Sequence, residues 1–135
     1  MSLFKKDIFG RSYFIKRWVI RIIGLLSYRR FKGINSLKIT GSKNLKNLPN
    51  NNVLFISNHQ TYFADATAII HVINASLKGR NDNINNIGYI WRPMLNLYFI
   101  AAKETMNNGL LPKILSYAGS IPIERTWRSN GENLK

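Results

Sequence analysis

A run of apolar residues that ends at Asn58-His59 constrains this chain more than any other stretch. Residues Val53 to Ser57 are mostly apolar, β-branched or aromatic, and three asparagines stand directly before them. This pattern predicts a buried strand that begins after a turn. The apolar stretch from Ala66 to Leu77 is long enough for a helix. The sequence therefore places His59 in a strand-to-helix turn, where open α/β sheets carry their chemistry.

His59 and Asp65 form a candidate catalytic pair in this turn. A neutral imidazole can take a proton from a hydroxyl, and a carboxylate on its other nitrogen stabilises the imidazolium that forms. The chain has no cysteine, and Ser57 lacks the glycines of a nucleophile elbow. We therefore expect the activated hydroxyl to belong to a substrate. The alternative is a capping turn in which Asn58 or Thr61 satisfies the first N–H groups of the helix and Asp65 complements its positive end.

Positive charge is concentrated in the N-terminal part of the chain. There are 20 Lys and Arg residues against 6 Asp and Glu, a net charge of +14. Residues 1–50 hold twelve of the basic residues and a single acid, Asp7. Such a block indicates an anionic partner, either an acidic lipid surface or nucleic acid. The absence of cysteine fits a reducing compartment, and we expect no secretory signal because no apolar run leads to a cleavage site.

Residues Ser12 to Tyr28 are predicted to form a basic amphipathic helix with one broad apolar face. Its longest uncharged run, Ile22 to Tyr28, is far shorter than the about 20 residues needed to cross a bilayer. We therefore expect the helix to lie in a membrane interface. The residues expected to contact the membrane are Arg17, Trp18, Arg21, Ile22 and Leu25. The alternative is an ordinary amphipathic helix that packs against its own domain.

Shorter patterns complete the predicted architecture. The predicted elements are a half-buried strand at Leu37–Thr40, a buried strand at Ile87–Trp91, an apolar segment at Asn96–Ala102, a helix at Leu110–Tyr117 and a strand at Ser120–Ile123. Strands that alternate with helices predict an α/β fold. His71 has no second histidine or carboxylate at a ligand spacing, so it is interpreted as a surface or core-edge residue. No metal site is expected.

Three short blocks follow one another in an order that is known from one enzyme family. The first is Asn58-His59 followed by Asp65, the second is Ala-Ala-Lys-Glu at 101–104, and the third is Gly-Ser-Ile-Pro-Ile-Glu-Arg at 119–125. Together they resemble the conserved blocks of the glycerolipid acyltransferases, the family of lysophosphatidic acid (1-acylglycerol-3-phosphate) acyltransferases. The family has four residues between its histidine and aspartate, whereas this chain has five.

The resemblance implies an α/β fold with an acyltransferase-like sheet flanked by helices, preceded by the membrane-interface helix. Residues 1–35 are then a basic membrane-associating segment, and residues 36–135 are the N-terminal portion of an acyltransferase domain. We expect this domain to be incomplete, because the later Pro-Glu-Gly block of the family does not occur before Lys135.

The resemblance also implies an activity. The expected reaction moves a fatty acyl group from acyl-CoA or acyl carrier protein to a lysophospholipid hydroxyl, with His59 as general base and Asp65 as its partner. Arg125 is expected to hold the acceptor phosphate with its guanidinium fork, unless it is a surface arginine paired with Glu124 or Glu104. The other residues expected to bind substrate are Asn58, Gly119, Glu124 and Lys103. No cofactor beyond the acyl donor is expected, and the expected location is the cytoplasmic face of a bacterial inner membrane.

Two other classes stay open. One is a nucleic-acid-binding protein, which is supported by charge alone and has no recognisable binding motif. The other is an inactive or truncated membrane-bound relative of the acyltransferases.

Overall fold

The structure is a computed structural model that describes residues 5–58, 64–103 and 109–124, with only the backbone described at Leu111. Its three α-helices are α1 (Tyr13–Arg29), α2 (Ala64–Leu77) and α3 (Leu110–Ala118), and its two strands are β1 (Phe99–Ala102) and β2 (Ser120–Ile123). Shorter helical turns cover Arg30–Ile34, Ser42–Asn47 and Ile87–Trp91. The described chain is thus an α/β structure in which helices predominate.

The chain divides into two compact units. We call Met1–Val19 with Leu97–Lys135 the sheet unit, and Ile20–Asn96 the helical unit. Helix α1 contributes its first turns to the sheet unit and its later turns to the helical unit.

In the sheet unit, β1 and β2 pair in parallel, with Phe99 opposite Ser120 and Ala102 opposite Ile123. Parallel neighbours need a crossover connection, and α3 lies within that connection. Leu115 and Ala118 of α3 are buried. The predicted helix at Leu110–Tyr117 and the predicted strand at Ser120–Ile123 are therefore confirmed.

In the helical unit, α2 supplies the centre of the core. Its residues Ile70, Ile73 and Ala75 are buried, as are Tyr89 and Ile90 of the last helical turn. Polar side chains fix the surrounding loops: Ser76 donates a hydrogen bond of 2.6 Å to the Ser42 carbonyl, and Asn74 accepts one of 2.6 Å from the Met94 amide. The predicted helix at Ala66–Leu77 is confirmed.

Two predicted strands are wrong. Residues 53–58 form no regular element, and Leu54 and Ile56 are 79% and 89% exposed. No neighbouring strand lies beside this segment in the described structure, and a strand cannot form a ladder without one. Ile87–Trp91 is a helical turn rather than a strand, because the Asn86 side chain accepts a hydrogen bond from the Gly88 amide and starts a tight turn. Of its five residues, Tyr89 and Ile90 are buried, as predicted, whereas Trp91 is 51% exposed.

The predicted N-terminal helix is confirmed as α1. By contrast, residues Leu37 to Thr40 alternate in exposure, as predicted for a half-buried strand, but they pair with no strand of the described chain.

Candidate functional site

Lys103 and Glu124 meet at the carboxyl edge of the two-stranded sheet. Because Ala102 lies opposite Ile123 in the parallel register, the next residue of each strand emerges at the same edge. The Lys103 ammonium donates to the Glu124 carboxylate in an ion pair. This hydrogen bond and the positive charge of Lys103 hold the pKa of Glu124 below its usual value. Two of the predicted substrate-binding residues therefore lie in contact.

The edge formed by Lys103 and Glu124 is open to solvent, since both side chains are more than half exposed. An ammonium group that pairs with a carboxylate can also pair with a phosphate oxygen, which is the same kind of anionic acceptor. Glu104 and Arg125, the next residues after this pair, lie outside the described residues. The predicted phosphate contact of Arg125 therefore stays a prediction.

Gly119 lies at the other end of β2, where it ends α3. It adopts φ +119°, and its amide donates to the carbonyls of Leu115 and Ser116, each at 3.1 Å. A Cβ at this position would lie 2.6 Å from the carbonyl oxygen of Leu97. The structure thus gives Gly119 a role in bringing the start of β2 close to the chain before β1.

The predicted catalytic turn is described only at its two ends. Asn58 is exposed at the end of residues 53–58, and Asp65 lies in the first turn of α2, where a carboxylate complements the positive end of the helix. His59 lies outside the described residues, so the predicted contact between His59 and Asp65 is not tested.

A buried hydrogen-bond chain that the sequence did not reveal crosses the helical unit. His71 lies 2.9 Å from the Ser27 hydroxyl through Nε2 and 2.7 Å from the Tyr89 hydroxyl through Nδ1. The Ser27 hydroxyl donates its proton to the Ile23 carbonyl at 2.7 Å. The Nε2–H of His71 must therefore donate to Ser27, and Nδ1 must accept from Tyr89.

The interpretation of His71 as a surface or core-edge residue is wrong, because its side chain is fully buried. Burial lowers the pKa of His71 to about 4, so the ring is neutral near pH 7. The rings of Phe31 and Tyr89 pack edge-on against it at centroid distances of 5.6 and 5.8 Å. No group of three potential metal-ligating side chains occurs among the described residues.

A second buried polar cluster lies in the sheet unit around Lys16. The lysine side chain is fully buried, its ammonium donates to the Leu97 carbonyl at 3.2 Å, and it lies 3.7 Å from the ring centroid of Tyr98. Burial lowers the pKa of Lys16 to about 8, and the nearby Asp7 carboxylate opposes that effect.

The apolar face of α1 is exposed, and its buried residues lie on another face. Lys16, Ile20 and Gly24, spaced four residues apart, are buried, whereas Leu26 is 78% exposed. The other exposed large apolar residues of α1 are Phe14, Ile15, Trp18, Ile22 and Leu25. Of the residues predicted to contact a membrane, Trp18, Ile22 and Leu25 are thus accessible.

Arg21, another of the predicted membrane contacts, is held by the helical unit. Its guanidinium donates to the Trp91 carbonyl at 2.6 Å and lies 5.5 Å from the centre of the Trp91 ring. Arg17, the remaining member of that set, is half-buried in the same helix. Within the described residues, no helix is both long enough and apolar enough to cross a bilayer.

Comparison with protein-family models, with curated proteins and with solved structures gave no match for this chain.

Proposed function

We propose that this protein is an O-acyltransferase that works at a membrane surface. It would transfer a fatty acyl group from acyl-CoA or acyl carrier protein to the free hydroxyl of a 1-acylglycerol-3-phosphate. The observation that supports this most directly is the contact between Lys103 and Glu124 at the carboxyl edge of β1 and β2. These residues belong to the second and third of the blocks that resemble the acyltransferase family, which lie far apart in the sequence.

In this proposal, His59 takes the proton of the acceptor hydroxyl, and Asp65 orients the imidazole and stabilises the imidazolium. The resulting alkoxide attacks the thioester carbonyl, the ester C–O bond forms and the C–S bond breaks. The departing thiolate takes the proton back from His59, so the enzyme returns to its starting state. Lys103 and Arg125 bind the acceptor phosphate.

The exposed face of α1 supports the membrane location. Large apolar side chains such as Trp18, Ile22 and Leu26 lie in water in the free chain, and a bilayer interface would remove them from it. Basic residues on the same segment, including Arg29, Arg30 and Lys32, complement anionic headgroups, each contributing about 1 kcal/mol near such a surface. The location proposed for this contact is the cytoplasmic face of the membrane, where anionic lipids are concentrated.

A second candidate is a lipid-binding domain without activity. It is favoured by the exposed apolar face of α1 taken alone, since a lipid surface would cover that face without any chemistry. Nucleic-acid binding is a weaker candidate, because it accounts for the charge of +14 but not for apolar side chains on the same helix.

The test is acyl transfer in the presence of vesicles that contain an acidic phospholipid. Thiol release from an acyl thioester is measured with and without 1-acylglycerol-3-phosphate, for the wild type, His59→Ala and the neighbouring control Gln60→Ala. Release that requires the acceptor, disappears in His59→Ala and persists in Gln60→Ala supports the enzyme. Folded, vesicle-bound protein that releases no thiol contradicts it and favours the lipid-binding domain.

A further inference from the structure

A tight turn directly before α1 presents two apolar side chains to solvent. The turn covers Asp7 to Gly10, and its Ile8 and Phe9 side chains are 81% and 44% exposed. Exposed apolar residues at the tip of a short turn are costly in water, and nothing in the described sheet unit covers Ile8.

The turn is fixed by the Asp7 carboxylate. Its Oδ1 atom accepts the Phe9 amide at 2.9 Å and the Arg11 amide at 2.8 Å. The backbone of Asp7 forms two more hydrogen bonds. Its amide donates to the Arg11 carbonyl, and its carbonyl accepts from the Gly10 amide. Gly10 adopts φ +76°, which closes the turn. Asp7 itself is buried, so its carboxylate faces the amides of the turn rather than solvent.

The turn is also anchored to the rest of the sheet unit. The Tyr98 hydroxyl donates to Oδ2 of Asp7 at 3.3 Å, and the Phe9 ring packs edge-on against Tyr98 at 5.5 Å. The Arg11 guanidinium donates to the carbonyls of Ser116 and Ser120. Because both ends of the turn are held, Ile8 projects from a fixed base.

Positive charge lies next to the turn in the sequence. Lys5 and Lys6 are exposed directly before it, and the only acid of the first fifty residues is the buried Asp7. Exposed cations beside an apolar tip complement a bilayer with anionic headgroups, where cations stay at the headgroups and the apolar tip enters the acyl boundary.

We propose that the Asp7–Gly10 turn inserts Ile8 into an anionic lipid bilayer, as a membrane contact separate from the face of α1. This inference rests on the proposed membrane location but not on the proposed chemistry. The turn is too small for a protein partner by itself, since a stable protein interface buries about 800 Å² on each side. A lipid surface requires no such area and no matching shape.

The absence of cysteine makes the test direct, because a single introduced thiol can be labelled uniquely. Three full-length variants, Ile8→Cys, Leu26→Cys and Leu77→Cys, are labelled with an environment-sensitive fluorophore. They are titrated with phosphatidylcholine vesicles that contain one anionic lipid in about three. Leu26 reports on the α1 face. Leu77, which is 43% exposed, is the control, because it lies outside the basic N-terminal segment and at the opposite end of α2 from Asp65.

We expect blue-shifted emission and quenching by spin-labelled lipid at positions 8 and 26 but not at position 77. A response at 26 without one at 8 overturns this inference and leaves the membrane location intact. No response at either position, with no vesicle binding by the wild type, overturns both. As a second measurement, Ile8→Asn should weaken vesicle binding about tenfold, whereas Leu77→Asn should change it less than about twofold; equal effects of the two substitutions contradict the proposal.

Discussion

The Nδ1 atom of His71 lies 2.7 Å from the hydroxyl oxygen of Tyr89, and both side chains are buried. The other ring nitrogen, Nε2, forms a hydrogen bond of 2.9 Å with the Ser27 hydroxyl. The imidazole therefore fills both of its hydrogen-bond positions while it is neutral. A proton added to Nδ1 would turn the Tyr89 hydroxyl from donor to acceptor and would leave a positive charge in a buried site, so burial disfavours the imidazolium.

Stability should consequently depend on the charge of His71. The folded pKa is about 4, below the ordinary value of 6.5, so between these values the unfolded chain binds the proton and the folded chain does not. Stability is fully present above about pH 6.5 and falls as the pH is lowered toward 4, by about 3 kcal/mol in total. Urea unfolding between pH 7 and pH 4.5 should show this slope in the wild type, and His71→Gln should remove most of it. An unchanged slope in that variant would contradict the assignment.

Tyr89→Phe should destabilise the helical unit by about 1–3 kcal/mol, because it leaves Nδ1 of His71 buried without a donor. The matched control is Tyr28→Phe, whose ring lies 6.2 Å from the same imidazole; we expect a change below about 0.5 kcal/mol. Thermal unfolding of the two variants measures the difference. Equal losses would show that the hydroxyl of Tyr89 is not the important group.

Lys16→Met should stabilise the protein at pH 7. The folded pKa of Lys16, about 8, lies below the ordinary 10.5, so the buried charge opposes folding at neutral pH and its cost diminishes as the pH rises through 8. The wild type should therefore gain stability between about pH 8 and 10, whereas Lys16→Met should not. The expected gain at pH 7 is on the order of 1 kcal/mol, after loss of the hydrogen bond to Leu97 is subtracted. A less stable variant with an unchanged pH slope would refute this expectation.

Gly119→Ala should destabilise the sheet unit by more than about 2 kcal/mol. The new Cβ would lie 2.6 Å from the backbone oxygen of Leu97, which cannot move without disturbing the start of β1, and φ +119° is unfavourable for alanine. The control is Gly33→Ala, where a Cβ would meet no atom within 4 Å. Chemical unfolding compares the two variants, and a tolerated Gly119→Ala would contradict the close approach.

Lys103→Met should raise the KM for 1-acylglycerol-3-phosphate, with little change in kcat, if Lys103 binds the acceptor phosphate as proposed. Because the ion pair with Glu124 is exposed, neither Lys103→Met nor Glu124→Gln should measurably alter thermal stability. Lys113→Met, an exposed lysine of α3, is the control for a general loss of positive charge. An equal rise in KM in the control would assign the effect to overall charge.

Several elements of the fold could be predicted because their signals are local. Helices α1, α2 and α3 follow from apolar periodicity and, for α3, from the glycine that ends it. The meeting of Lys103 with Glu124 could be anticipated from two strands that end in polar residues, once the strands were known to be parallel. By contrast, Val53–Ser57 has the composition of a strand, but a strand also needs a neighbour, which composition does not supply.

The sequence by itself determined where the helices of this protein form and where its positive charge is concentrated, because both depend on residues that are close together in the chain. Only the tertiary structure decided which face of α1 is buried. Periodicity distinguishes the apolar side of a helix from its polar side, but the elements that pack against the helix determine which side is buried. Here Leu97 and Tyr98 surround Lys16, and the histidine of α2 binds Ser27. Those contacts join residues more than forty positions apart, so the local pattern by itself left open whether the apolar side packs against the domain or faces outward.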